Sequence, residues 1–246
     1  MCSVTASSPE LSVVLLGYRS GATLAALVQR TAAVLDEAAI DWEAVLVANF
    51  WPGDGDETPV VARTLAALSP RLRVLAEPKA GGMGWDARRG LAAAHGRCVA
   101  VFDGDGQVTP GDLVRAYRAL VEANLDLIVA RRVARGDGLL RAWQSRLFNA
   151  AFAGLFGGSR WRDVNAKPKV LTRAAWERMH LTSDGWFFDA ELLLEARRLG
   201  LRGGELPTTF GALSGRDSFV GPRAVLEFVV EMLRHRFAEW RRGLGA

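Results

Sequence analysis

The 246-residue sequence predicts an α/β fold in which a mostly parallel central sheet carries helices on both faces. Three observations lead there. Short apolar runs alternate with segments of helical period through the first half of the chain. Most residues in those runs are apolar, as in strands covered on both faces. One of them, Val99-Ala100-Val101-Phe102, leads directly into an acidic, glycine-rich turn, Asp103-Gly104-Asp105-Gly106-Gln107, at the strand end where open α/β sheets bind ligands.

Residues 1–10 are small and polar and read as a flexible tail. Leu11–Leu16 form the first strand, and a helix over about Ala22–Ala38 presents Leu24, Leu27, Val28, Val34 and Leu35 on one face. Glu43–Val47 make a second strand, followed by the loop Asn49–Asp56, a helix near Pro59–Leu68 and a strand at Leu72–Leu75. The loop Glu77–Gly84 leads into a helix ending near His95, and then comes the central strand. Thr109 and Pro110 open the next helix, as N-cap and first-turn residues do, and it runs over Asp112–Ala123 before a strand at Asp126–Ala130. Beyond Arg131 the alternation breaks down. An amphipathic helix is expected over Trp143–Phe156, a short strand around Lys169–Leu171, a helix over Asp189–Leu199 and a return to the sheet edge at Gly203–Pro207. A last helix, Pro222–Trp240, carries Val225, Phe228, Val229, Met232, Leu233, Phe237 and Trp240 as one stripe. No linker divides the chain, so residues 11–220 read as one domain and 221–246 as a C-terminal amphipathic helix.

The formal charge is only +4 with a pI near 9.6, which suits an anionic ligand or membrane surface and is too mild to argue for nucleic acid. Two cysteines, Cys2 and Cys98, make no disulfide framework and fit a reducing cytoplasm. No apolar run approaches the length of a membrane span. The last helix holds Arg223, Arg234, Arg236, Arg241 and Arg242 against Glu227, Glu231 and Glu239, so it suits either its own domain or an anionic membrane face.

Asp103 and Asp105 lie two residues apart, on one side of an extended segment, and together suit a hard divalent cation that also holds phosphate oxygens. Magnesium and manganese both fit such donors. Gln107 adds a neutral oxygen. Tyr18, after the first strand, is a candidate to pack on a flat ring, and Asn49, after the second, a candidate polar contact. Gly81, Gly82 and Gly84 would let the backbone approach a ligand.

The succession Asp103-Gly104-Asp105-Gly106-Gln107, with Gly82 to Leu91 before it and Asp126 to Arg132 after it, resembles glycosyltransferase family 2 of the dolichyl- or polyprenyl-phosphate sugar transferase kind. The likeness spans about Leu11–Ser218 and includes Ser145-Arg146 and Asp163–Lys169. It implies the glycosyltransferase A (Rossmann-like) fold and a metal-dependent, inverting transfer of a sugar from a nucleotide-sugar donor to a polyprenyl phosphate. It implies donor contacts from Tyr18, Asn49, Gly82, Gly84 and Asp103, a Mg2+ or Mn2+ site at Asp103, Asp105 and Gln107, and acceptor contacts from Arg132, Ser145, Arg146 and Lys169. Asp105 would take part in catalysis; Asp189 and Glu191 are the candidate bases if the acceptor is a hydroxyl. A soluble or glycan hydroxyl acceptor, a silent donor-binding homologue and a nucleotidyltransferase stay open as alternatives. The family's Val-Asp-Asp-Gly-Ser is replaced here by Val47-Ala48-Asn49-Phe50-Trp51, and its late Arg-x-x-Gly-x-Ser by Leu213–Ser218 with the arginine displaced. Altered base discrimination is the expectation from the first change. The protein is expected on the cytoplasmic side, peripheral to the inner membrane face where its last helix touches lipid; the oligomeric state is not readable.

Overall fold

The computed structural model describes residues 8–135, 148–156, 161–211 and 222–243. Largely apolar runs become strands β1 (Leu11–Leu16), β2 (Trp42–Val47), β3 (Leu72–Leu75) and β4 (Cys98–Asp103). Helices α1 (Ala22–Glu37), α2 (Thr58–Leu68) and α3 (Met83–Ala93) connect them, and α4 (Pro110–Glu122) follows β4. Then come β5 (Leu127–Arg135), α5 (148–155), β6 (Lys169–Thr172), α6 (Arg173–Glu177), α7 (Phe188–Arg198), β7 (Gly203–Phe210) and α8 (Pro222–Gly243).

The sheet runs β3-β2-β1-β4-β6-β5-β7. β1 pairs in parallel with β2 and β4, and β2 with β3. β6 is antiparallel to both its neighbours, whereas β7 is parallel to β5. The chain thus winds outward from β1 to β3 and then crosses back to β4. That reversal opens the sheet between the ends of β1 and β4, where Leu16 and Asp103 lie in register.

Each strand feeds two cores. Val14, Val99 and Val101 face α3, α5, α7 and α8, while Val13, Ala100 and Phe102 face α1, α2 and α4. This double burial explains why the sequence shows runs rather than alternation. β5 and β7 extend past the residues expected for them, to Arg135 and Phe210, because they pair with each other as a long edge ladder. The short α6 was not expected; Thr172 caps it by accepting from the Ala175 N–H at 3.2 Å.

The last helix departs most from expectation. Its apolar residues do not form one stripe. Phe228 and Met232 are buried against the domain, with Phe228 edge-on to Phe148 and Phe187. Leu226, Val229, Val230, Leu233, Phe237 and Trp240 are exposed.

Helix α3 can lie on β1 and β2 only because residue 90 has no side chain: a Cβ there would collide with Val14 Cγ1 and, at 2.8 Å, with Val47 Cγ2. Gly90→Ala should therefore destabilise the fold by about 1–3 kcal/mol, read as a lowered urea midpoint at unchanged slope.

Candidate active site

Three loops meet at the carboxyl ends of β1, β2 and β4. Gly17 and Tyr18 leave β1, Asn49 leaves β2, and Asp103 to Gln107 leave β4. The Gly104 N–H donates to Leu16 O at 2.9 Å, locking the acidic turn to the end of β1. Asp103 and Asp105 are both partly accessible. Asp105 Oδ1 accepts the Gln107 N–H at 3.0 Å, which folds the turn back on itself. Gln107 donates its Nε2 to Gly211 O at 3.0 Å and accepts the Gly211 N–H at 2.8 Å through its backbone, tying the turn to the end of β7.

Two carboxylates and an amide oxygen are hard donors, and they fit a magnesium or manganese ion. Among the described residues there is no cluster of three or more acidic, His or Cys side chains that could hold a metal. A cation held by the two carboxylates and the amide would keep positions open to other oxygen ligands.

Behind the turn lies a buried ionic cluster. By alternation Asp103 faces the same side as Val101, and Lys169 on the neighbouring β6 faces it too. Asp189, in the first turn of α7, lies beneath them, 2% exposed. Its Oδ1 accepts Lys169 Nζ at 2.7 Å and its Oδ2 accepts Lys167 Nζ at 2.8 Å. Lys167 Nζ also stands 3.4 Å from Asp103 Oδ1. Burial opposes the charge on Asp189, but the two ammonium groups outweigh it and hold the carboxyl below its usual range. Burial likewise opposes the charge on Lys167, yet Asp103 and Asp189 outweigh it and raise its pKa. Lys169 is shifted downward, by burial and by the neighbouring Lys167 charge.

Several sequence expectations are corrected by this arrangement. Asp189 is no general base, since it is buried, doubly ion-paired and a weakened proton acceptor. Glu191 is no base either. Its oxygens accept from Thr182 N at 2.9 Å, Thr182 Oγ1 at 2.8 Å and Ser183 N at 2.8 Å, fastening the loop before α7. Lys169 is fully buried, with Nζ also donating to Ala166 O at 2.9 Å, and does not face an acceptor. Arg132 falls on the opposite side of the sheet. Its guanidinium is clamped on Asp163 by two bonds of 2.6 Å and lies over the Phe210 ring. Ser145 and Arg146, like Leu213–Ser218, lie outside the described residues.

The donor side changes as well. Asn49 is completely buried; its Oδ1 accepts the Glu77 N–H and its Nδ2 donates to Asp86 Oδ1, both at 2.9 Å. Lys79 pairs with the other oxygen of Asp86. Burial raises the Asp86 pKa, against the pull of Lys79 and Asn49. Asn49 thus holds the β3–α3 loop and reads no base. An aspartate in its place would confront the Asp86 carboxylate. Gly84 is buried inside the fold, where the carbonyls of Asp184 and Gly185 cap α3 by accepting from Trp85 N and Gly84 N at 3.0 and 3.1 Å, while Gly82 stays partly accessible at the start of that helix. A Cβ on Gly84 would strike Ser183 O and Gly185 O. Tyr18 stays at the rim, half-buried, with Lys79 Nζ 4.9 Å and Arg19 5.5 Å from its ring. Burial raises its hydroxyl pKa, and Asp54 is its hydrogen-bond partner.

Lys167 is the residue that sequence reasoning passed over. Two lysines flanking Pro168, two apart on the approach to a strand beside β4, were the signal that both amines point to one side.

Comparison with known proteins bears on the family and the fold. The model of the family described as "Glycosyl transferase family 2" matches residues 12–194. Glycosyltransferase AglD of Haloferax volcanii is 29% identical over 208 residues, covering 82% of this chain but 33% of that protein. The dodecaprenyl-phosphate galacturonate synthase of Rhizobium johnstonii is 33% identical over 72% of this chain and 52% of its own length. A dolichyl-phosphate beta-glucosyltransferase, ALG5A of Trichomonas vaginalis, is 23% identical over 96% and 76%. The chain therefore spans between a third and three quarters of these relatives. Among solved structures, glucosyl-3-phosphoglycerate synthase from Mycobacterium tuberculosis, in complex with Mn2+, uridine-diphosphate and phosphoglyceric acid, shares the fold. Its TM-score is 0.70 at 19% identity, over 93% of this chain and 78% of that one.

Asp189→Asn would leave two buried lysines short of their shared counter-charge, and should cost about 3–5 kcal/mol of stability at neutral pH. Because the folded-state pKa is depressed, the wild-type contribution is complete above the ordinary carboxylate range and lost only as pH falls through the lower folded value. Urea titrations of both proteins at pH 7 and in acid measure this: the gap should be wide at pH 7 and close in strong acid.

Proposed function

This chain belongs to glycosyl transferase family 2, and we propose that it transfers a sugar from a nucleotide-sugar donor to a polyprenyl phosphate, with inversion at the anomeric carbon. The observation that carries the donor half is the accessible Asp103–Asp105 pair at the opening between β1 and β4. Asp103, Asp105 and the Gln107 amide oxygen would hold a divalent cation. The ion, when bound, would act as a Lewis acid on the leaving diphosphate. Gly104 and the Gln107–Gly211 clamp hold the turn in place, and Tyr18 offers a ring at the rim for the base.

The acceptor half rests on which bases are spent. A hydroxyl acceptor needs a general base, and the two carboxylates nearest that task, Asp189 and Glu191, are buried and fully engaged. A phosphate monoester oxygen is already anionic at neutral pH and asks only for positioning. The names of the polyprenyl- and dolichyl-phosphate relatives favour the same acceptor class. Purified protein given radiolabelled nucleotide sugars and a polyprenyl phosphate should yield label in the organic-extractable lipid. Asp105→Ala should lower that transfer by about a hundredfold or more, since it removes a ligand from chemistry worth several kcal/mol. Label appearing only in water-soluble glycan would overturn the acceptor assignment.

A lipid acceptor also gives α8 a role. Its outward residues Leu226, Val229, Val230, Leu233, Phe237 and Trp240 recur at helical spacing, while Phe228 and Met232 already anchor the opposite side. On a helical wheel Arg234 and Arg241 fall on one flank of the exposed stripe and Arg236 on the other. Glu239 pairs with Arg197 at 2.9 Å and with Arg236 at 3.6 Å, and Arg234 pairs with Glu231 at 2.7 Å. Arginine on both flanks suits an anionic bilayer. It would oppose arginine with arginine in a helix pair of either direction. No described helix is long and apolar enough to cross a membrane, so the contact would be in-plane. Co-sedimentation with phosphatidylglycerol vesicles should fall about tenfold on Phe237→Glu, and should weaken in high salt, with the fold unchanged because the side chain is exposed.

A further inference from the structure

The Lys167 ammonium stands against a carboxylate that the proposed function gives to a divalent cation. Asp103 Oδ1 is 3.4 Å from it, whereas the ammonium itself is buried, its side chain 5% exposed, and cannot swing away into solvent. It is held from below by Asp189 at 2.8 Å, and Asp189 is in turn pinned by Lys169 at 2.7 Å. The partly accessible Asp103 carboxylate thus has a fixed, buried positive charge against it, and Asp105 follows in the same turn. No third acidic, His or Cys ligand joins them among the described residues.

We infer that Lys167 is a positioning residue that makes metal loading conditional on the donor's diphosphate. The inference rests on the donor-site reading above. The reasoning is electrostatic. A divalent ion approaching Asp103 meets the repulsion of a buried ammonium 3.4 Å from that carboxylate. That leaves the empty-handed protein a poor metal site. A nucleoside diphosphate brings two to three negative charges of its own. The same ammonium attracts it, and the diphosphate then supplies the missing charge and oxygens for the ion. Lys167 therefore pushes the two ligands' solo affinities in opposite directions: it weakens metal alone and strengthens diphosphate alone. A unit charge a few ångströms from a divalent ion changes affinity by about tenfold even at a water-like dielectric. The ordering has a chemical use, since a cation that arrives with the donor leaves with the nucleoside diphosphate product and reopens the cleft.

The test measures binding, not turnover. Mn2+ is titrated, by the paramagnetic signal of the free ion, into the full chain alone and with UDP or GDP, and each nucleotide is titrated calorimetrically with chelator present. Wild type should bind Mn2+ at least about tenfold more tightly with diphosphate than without. Lys167→Gln should bind Mn2+ alone about tenfold more tightly and metal-free diphosphate several-fold more weakly, while Lys167→Arg stays close to wild type in both. A merely structural role would weaken both ligands together, and that result overturns the inference. Should Lys167→Gln not fold, the wild-type arm decides: Mn2+ bound equally well with and without diphosphate rules the proposal out. Failure of both nucleotides to bind under every condition would fall on the donor-site reading, and the inference would go with it; Mn2+–diphosphate synergy unaffected by residue 167 would sink the inference alone.

Discussion

The arrangement of the cleft depends on one buried carboxylate. Asp189 has left water entirely, and that is tolerable only because Lys167 and Lys169 meet its two oxygens. Those contacts join α7 to the β6 segment, and through Lys167 to Asp103 at the end of β4. Elements far apart in sequence are thereby held at one point of the sheet. The antiparallel β6 is what makes the geometry work. Inserted between β4 and β5, it enters the sheet beside the acidic turn, so that Lys167 and Lys169 approach the carboxyl end of β4 rather than its start.

A second scaffold runs along the neighbouring wall. Glu191, one turn into α7, grips the loop at Thr182 and Ser183, and the next carbonyls of that loop cap α3. Helix α3 presents Asp86, on which Asn49 and Lys79 converge. The same helix α7 therefore stabilises both sides of the cleft. Asp189 and Glu191, two of the carboxylates that looked catalytic in the sequence, are consumed in this framing.

What the sequence made legible was local. The strands showed as apolar runs because both faces of each are covered, and the Asp103–Asp105 turn stood out because its signal occupies five consecutive residues. Long-range partnerships were not legible. Asn49 sat where a ligand contact belongs, but nothing near it announced that Asp86 and Glu77 would absorb its amide. Gly82 and Gly84 carried the composition of a ligand loop, whereas their lack of side chains serves a segment a hundred residues away in the chain. Periodicity marked α8 as amphipathic, yet its apolar arc is too wide for periodicity alone to say which half meets the domain. Packing decided that, by seating Phe228 and Met232 on Phe187 and its neighbours.

The departure from the family's acidic pair after β2 also acquires a physical reading. A carboxylate at position 49 would sit beside Asp86 in a space that burial already makes costly for one charge. Asparagine keeps both hydrogen-bonding functions that the site uses, an acceptor for the Glu77 N–H and a donor for Asp86, while adding no charge. The ammonium of Lys79 then balances Asp86 alone and stays within reach of the Tyr18 ring. Asn49 and Asp86 thus depend on each other: removing either side chain would leave the other's buried polar group short of a partner.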